Sequence, residues 1–127
     1  MGGDAVIVAG FGFRQGATLG SLRAVLLLAE QVGGPAAALA TMPARAQAPA
    51  LQMLAAERGL PLLAVGVAGI RTPTRSARIM ARYGTGSVAE AAAMVAAGPG
   101  ASITVARIIA PDGMATCAMA ATKGSGE

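Results

Sequence analysis

The sequence has no histidine and no tryptophan, one cysteine, and three aromatic residues, Phe11, Phe13 and Tyr83. Without histidine, the commonest general base near neutral pH and the commonest metal ligand are both missing. Ser/His/Asp and Cys/His catalytic sets are therefore excluded, and a protein-built metal site is not expected; no resident cofactor is expected either. A single cysteine, Cys117, excludes an internal disulfide and fits a reducing cytoplasm. It lies in an apolar stretch and reads as a small core residue. Long apolar runs are also lacking. A membrane-spanning helix needs ~18 residues, and the longest candidate, residues 60–70, is interrupted by Pro61, Gly66 and Gly69. No basic segment precedes an apolar one at the N-terminus, so neither a signal peptide nor a membrane partner is expected, and the protein is expected in the cytoplasm.

What remains is a chain of 127 residues that is 54% hydrophobic and only 13% charged. That length predicts one domain, residues 1–127, able to bury a core of Ala, Val, Leu, Ile and Met. The net charge is +4 and the isoelectric point about 10.7, which points to an anionic partner. Nucleic acid is not the expected one. Single-strand binding needs aromatic stacking platforms, and the ten basic residues form no block.

Residues 5–9 form a short apolar run that reads as a strand buried on both faces, the type found in parallel sheets. It leads into a glycine-rich segment, residues 10–17. Thr18 is a good N-cap for the helix that follows. Leu19, Leu22, Leu26 and Ala29 share one face of that helix, widened by Val25, Leu28 and Val32, and Gly33-Gly34 ends it. A weaker strand is due over residues 37–41, followed by a loop over 43–48. Pro49 starts a helix that turns Leu51, Leu54 and Ala55 inward and stops at Gly59. Residues 62–65 read as a third buried strand and 66–73 as a loop. Thr74 is placed to cap a short helix running to about Tyr83, with Arg75, Arg78 and Arg82 on one side and Arg71 just before; such a stripe is ordinarily a solvated face, and if functional it binds a polyanion. Residues 102–109 and 114–120 read as strands joined by the turn Pro111-Asp112-Gly113. Strands alternating with helices predict an α/β fold, a three-layer α/β/α sandwich whose mostly parallel sheet ends in an antiparallel C-terminal strand pair.

Ligands of such sheets sit beyond the carboxyl ends of the strands. That singles out the segments 10–17, 41–48, 66–73 and 109–113. Within the first, Gly10, Gly12 and Gly16 resemble a dinucleotide fingerprint, so a small dinucleotide- or phosphate-binding domain is one alternative. The acidic residue such a site needs near Thr41 is missing, although Arg45 could meet a 2′-phosphate. Phe11 and Phe13 beside Arg14 would suit a flat ring carrying carboxylates, and equally a contact between subunits of a homo-oligomer. The stretch Gly84-Thr85-Gly86-Ser87-Val88-Ala89-Glu90 is a glycine-rich loop turning into a helix. Ser87 and Glu90 have capping-box spacing, and a helix N-terminus behind such a loop is an anion site. Glu90 is the one weak candidate for acid–base catalysis.

Four segments occur together and in order: Gly10-Phe11-Gly12-Phe13-Arg14-Gln15-Gly16-Ala17, Thr72-Pro73-Thr74-Arg75-Ser76, the stretch from Gly84 to Ala92, and Pro111-Asp112-Gly113-Met114-Ala115-Thr116-Cys117-Ala118. In this the chain resembles the cobalamin biosynthesis family formed by CobE and the C-terminal domain of CbiG, over about residues 5–120. The resemblance implies a compact α/β domain acting in corrin-ring assembly. CbiG-type proteins open a lactone on a cobalt-corrinoid intermediate and release acetaldehyde. This sequence shows none of the additional N-terminal region of those proteins, so the expectation is the stand-alone form of the aerobic route. Its expected partner is a corrinoid or precorrin intermediate, together with other enzymes of the pathway; a precorrin lactone hydrolase is the alternative. The ligand-binding residues expected from loop position and resemblance are Gly10, Phe11, Gly12, Phe13, Arg14, Gly16, Thr41, Arg45, Thr85, Gly86 and Ser87.

Overall fold

A computed structural model describes residues 6–122. The apolar run that begins at Val6 forms the central strand β1 (Val6–Phe13). It is followed by α1 (Leu19–Gly33), β2 (Ala38–Thr41), α2 (Pro43–Ala46), α3 (Pro49–Arg58), β3 (Leu62–Ala64), α4 (Ala77–Tyr83), α5 (Val88–Ala97), β4 (Ser102–Ile109) and β5 (Ala115–Thr122). The five strands form one open mixed sheet in the order β3-β2-β1-β5-β4. β1, β2 and β3 are mutually parallel, and β5 runs antiparallel between β1 and β4. This is the expected α/β fold with an antiparallel C-terminal pair.

Strand alternation sorts the core into two apolar clusters. Ala9 and Phe11 of β1 pack with Leu22, Val25 and Leu26 of α1 and with Leu51 and Leu54 of α3. Val8 of β1 packs with Ala38 and Ala40 of β2 and with Val88, Ala91 and Ala92 of α5. Each leucine fully buried this way contributes about 1.5–3 kcal/mol. The second cluster is built from small side chains because α5 lies close against β1. A Cβ on Gly10 would sit 2.5 Å from the Ala93 backbone nitrogen and inside the Ala89 carbonyl. Opposite Gly10 in β5 stands Ala118. Small side chains are thus a packing requirement where α5 meets β1.

Local signals fix the helices on the other face. The Thr18 hydroxyl accepts from the Ser21 amide at 3.1 Å, which caps α1 as expected. α3 starts at Pro49 and ends on Gly59 in the left-handed conformation. Arg23 pairs with Glu57, and Arg58 with Glu30, tying α1 to α3. In the β4–β5 turn, Asp112 accepts from the Met114 amide at 3.0 Å and from the Ser21 hydroxyl at 2.8 Å. Those two bonds, the Met114 amide first, hold the Asp112 carboxyl below its ordinary pKa.

Several expectations are corrected. β1 runs on to Phe13, so Gly10, Phe11, Gly12 and Phe13 are strand residues rather than a loop; β5 supplies the partner, in register from Val6–Thr122 to Phe13–Ala115. β3 is an edge strand with Leu63 and Ala64 exposed, not a buried one, because only β2 pairs with it. Residues 43–46 are helical, with Pro43 in the first turn where a missing amide costs nothing. Ser76 rather than Thr74 caps α4, its hydroxyl accepting from the Ile79 amide at 3.3 Å. Val32, placed on the apolar face of α1, is 70% exposed.

Candidate functional site

All the parallel strands point their carboxyl ends to one edge of the sheet. From β1 the chain winds outward through β2 and β3, then returns to the other side of β1 as β4 and β5. The change of direction at β1 is where open α/β sheets leave a crevice. Here a cavity of about 590 Å³ opens, bounded by the ends of β1 and β4, the β4–β5 turn, α2, α4 and the first turn of α5.

Five arginines line it: Arg14, Arg45, Arg78, Arg82 and Arg107. Each comes from a different local cause. Arg14 follows β1, and its backbone amide is fixed on the Met114 carbonyl at 3.0 Å. Arg45 sits on the short helix α2 and donates Nε to the Phe13 carbonyl at 2.9 Å. Its guanidinium also lies 5.9 Å from the centroid of the Phe13 ring. Arg78 and Arg82 are four residues apart on α4, hence on one face, and Arg82 stands 5.4 Å over the Tyr83 ring. Arg107 comes from β4, at a break in the β4–β5 register between Val105 and Ile108.

Among the described residues, no carboxylate lines the cavity. Among the described residues the acidic groups are engaged elsewhere. Glu30 and Glu57 are paired across α1 and α3, and Asp112 is tied into the hairpin turn. Glu90 is fully buried beneath the cleft. The described ion pairs use Arg23 and Arg58 and none of the five cleft arginines. Five like charges sharing one crevice repel one another, and an anion with several charges relieves that repulsion. Guanidinium groups also match carboxylates through paired N–H donors. Ser87 and Val88 add the N-terminal end of α5 to the wall.

The capping box at that helix is only half made. The Ser87 hydroxyl accepts from the Glu90 amide at 3.2 Å. The Glu90 carboxylate does not reach back to Ser87. It accepts from the Thr74 amide, the Thr74 hydroxyl and the Arg107 amide, each at 2.8 Å. Both of its oxygens are therefore occupied inside the protein.

Of the residues expected to bind ligand, Gly12, Phe13, Arg14, Arg45 and Ser87 line this cavity. The others lie elsewhere. Phe11 is fully buried in the core below α1. Gly10 faces α5, where the helix backbone leaves no room for a side chain. Thr41 is buried and donates to the Phe11 carbonyl at 2.8 Å. Thr85 is buried and donates to the Ile70 carbonyl at 2.6 Å. Gly86 is pressed against the Thr74 carbonyl, 2.6 Å from where a Cβ would stand. Gly16 is a turn residue with φ of 93°. The dinucleotide fingerprint therefore dissolves: Gly10 and Gly12 are paired strand residues, with no strand-to-helix turn at that point. Arg78 and Arg82 are exposed, as expected of a solvated stripe, and they also line the cavity, as a polyanion-binding stripe would; sequence reasoning passed over Arg107, whose signal was the one charged residue in β4.

Cys117 lies outside the cleft and fully buried, and burial, with a smaller contribution from Glu30, pushes its thiol pKa up. The native protein is expected to be inert to a thiol reagent such as dithionitrobenzoate and to react with one equivalent after denaturation. Rapid labelling of the folded protein would contradict the buried placement. Among the described residues no group of three or more His, Cys, Asp or Glu side chains could hold a metal ion, and no helix is long and apolar enough to cross a membrane.

Comparison with known proteins agrees across nearly the whole chain. The family described as Cobalamin synthesis G C-terminus matches residues 7–120. The solved structure of CobE, a protein from the cobalamin (vitamin B12) biosynthetic pathway, is similar with a TM-score of 0.81 and 27% identity, over 98% of this chain and 96% of that one. The cobalamin biosynthesis protein chiG from Agrobacterium tumefaciens str. C58 is similar with a TM-score of 0.70 and 34% identity, over 92% of this chain and 98% of that one. A search of curated proteins gave no match.

Proposed function

The chain belongs to the cobalamin synthesis G C-terminal family, a family of cobalamin biosynthesis, and from that premise we propose that its cleft binds a polycarboxylate corrinoid or precorrin intermediate. The observation that carries the proposal is the set of five arginines around one cavity, with no carboxylate among the described residues that line it. Corrinoid acids are flat, apolar-faced macrocycles fringed with carboxylates. The arginines and the first turn of α5 suit the fringe, and Phe13, Tyr83 and Ile79 suit the ring.

A lactone hydrolase on the same pathway would need a group to move protons at the substrate. Glu90, the candidate from sequence, has both oxygens committed to Thr74 and Arg107. The geometry supports holding an intermediate over opening one.

Gel filtration with hydrogenobyrinic acid, a metal-free corrinoid acid, tests this. Pigment is expected to co-elute with the protein at tens of micromolar, roughly −6 to −7 kcal/mol of binding. The fully methyl-esterified corrinoid, which has no free carboxylate, is expected to elute alone. Failure of the acid to co-elute removes the carrier reading for this ligand. Co-elution of the ester as readily as the acid removes the arginines from the account.

A further inference from the structure

We propose that Glu90 is a positioning residue that holds Arg107 and the Arg78/Arg82 helix over the cleft through one buried carboxylate; the inference rests on the reading of the cleft as a polycarboxylate site. Glu90 is fully buried and is surrounded on its own helix by Ala89, Ala91, Ala92 and Ala93. A carboxylate in such a place is costly unless its oxygens are satisfied. No cation pairs with it among the described residues. Its partners are neutral donors from two distant segments: the Thr74 amide on one oxygen, and the Thr74 hydroxyl and Arg107 amide on the other.

Both backbone amides need such a partner. Pairing of β4 with β5 jumps from Val105–Met119 to Ile108–Cys117, which leaves Arg107 inside an irregular step of the ladder. A step of this kind re-aims the side chains beside it, and Arg107 lines the cleft. Thr74 lies in the segment that leads into α4. That helix fully buries none of its own residues and meets the core only through the partly buried Ile79 and Tyr83, so its position depends also on its tethers. At its start these are Thr74 on Glu90 and the Ser76 amide on the Gly86 carbonyl at 2.9 Å. At its end the Gly69 amide donates to the Gly84 carbonyl at 2.8 Å. Gly86 is the residue that lets the Thr74 segment press onto the start of α5, since a Cβ there would stand 2.6 Å from the Thr74 carbonyl oxygen. One side chain thus anchors two of the walls that carry arginines.

The test is Glu90→Gln in a double-mutant cycle. Glutamine keeps the volume but has one acceptor oxygen, so its NH₂ must face either the Thr74 or the Arg107 amide. Affinity is measured for hydrogenobyrinic acid and for benzenehexacarboxylate, a flat polycarboxylate that is not a corrin. Glu90→Gln is expected to weaken both about tenfold. Arg107→Ala is then expected to lose most of its effect in the Glu90→Gln background, whereas Arg14→Ala keeps its full effect. A merely structural role for Glu90 predicts that both arginine variants multiply with it, and that outcome overturns the proposal. If Glu90→Gln does not fold, Thr74→Val removes one of the three bonds and is run in the same cycle with Arg78→Ala; simple multiplication there overturns the proposal equally. If only benzenehexacarboxylate binds the wild type, the corrinoid reading fails and the cycle still decides the role of Glu90. If neither probe binds, the premise and the inference fall together.

Discussion

Replacing Arg45 and Arg107 together with alanine is expected to weaken hydrogenobyrinic acid binding by about 100- to 1000-fold. These two are half-buried, whereas Arg14, Arg78 and Arg82 are exposed. Charges partly withdrawn from water contribute more to recognition than rim charges, because solvent competes less for them. A hydrogen bond to an ionised group contributes about 1.5–3 kcal/mol. Losing one such contact at each position, taken at the lower end of that range because both arginines are only half-buried, amounts to about 3–4 kcal/mol, and each 1.4 kcal/mol is tenfold. Arg45 carries a second role, because its Nε satisfies the Phe13 carbonyl and its guanidinium stacks on the Phe13 ring. Arg45→Ala is therefore expected to loosen the apolar wall as well as remove a charge. Arg23→Ala, on the far helices and paired with Glu57, serves as the control and is expected to leave affinity unchanged. An absorbance titration of each variant checks this. A loss below about threefold in the double variant would show that other groups anchor the ligand.

Gly10→Ala is expected to destabilise the fold by about 3 kcal/mol, at the upper end of what overpacking costs. The added methyl would meet the Ala89 carbonyl and lie 2.5 Å from the Ala93 nitrogen. Those are backbone atoms of α5, so no rotamer change relieves the contact and the helix must move off the sheet. A thermal melt is expected to fall by on the order of 10 °C for a domain of this size. Gly16→Ala is the useful contrast. Its φ of 93° disfavours a side chain, but nothing lies within 4 Å of the added atom, so strain alone applies and costs about 1–2 kcal/mol. Equal losses at the two positions would mean that α5 does not sit against β1 as described.

The parts of the fold that were legible in the sequence are those written in short-range chemistry. Thr18, Gly34, Pro49 and Gly59 mark the ends of α1 and α3 through caps and proline, and the structure places those ends there. Pro111-Asp112-Gly113 announced the β4–β5 turn for the same reason. What was illegible depends on partners far along the chain. The glycines at 10 and 12 read locally as a break, yet β5 extends β1 through them; the Thr116 hydroxyl bonds to the Gly12 carbonyl across 104 residues. Glu90 had the spacing of a local cap, but the Thr74 and Arg107 amides drew its carboxylate away. The cleft was half legible. Arg14 and Arg45 follow strand ends, where such sheets bind ligands, whereas Arg78 and Arg82 belong to it only because α4 folds back over that edge.

The most direct test of the arginine cleft is a side-chain Nε–H spectrum of ¹⁵N-arginine-labelled protein during titration with hydrogenobyrinic acid. The signals of Arg14, Arg45, Arg78, Arg82 and Arg107 are expected to shift together and saturably, while those of Arg23 and Arg58, paired with Glu57 and Glu30, stay in place. Binding that leaves the five cleft arginines unmoved, or moves Arg23 and Arg58 instead, would contradict the account.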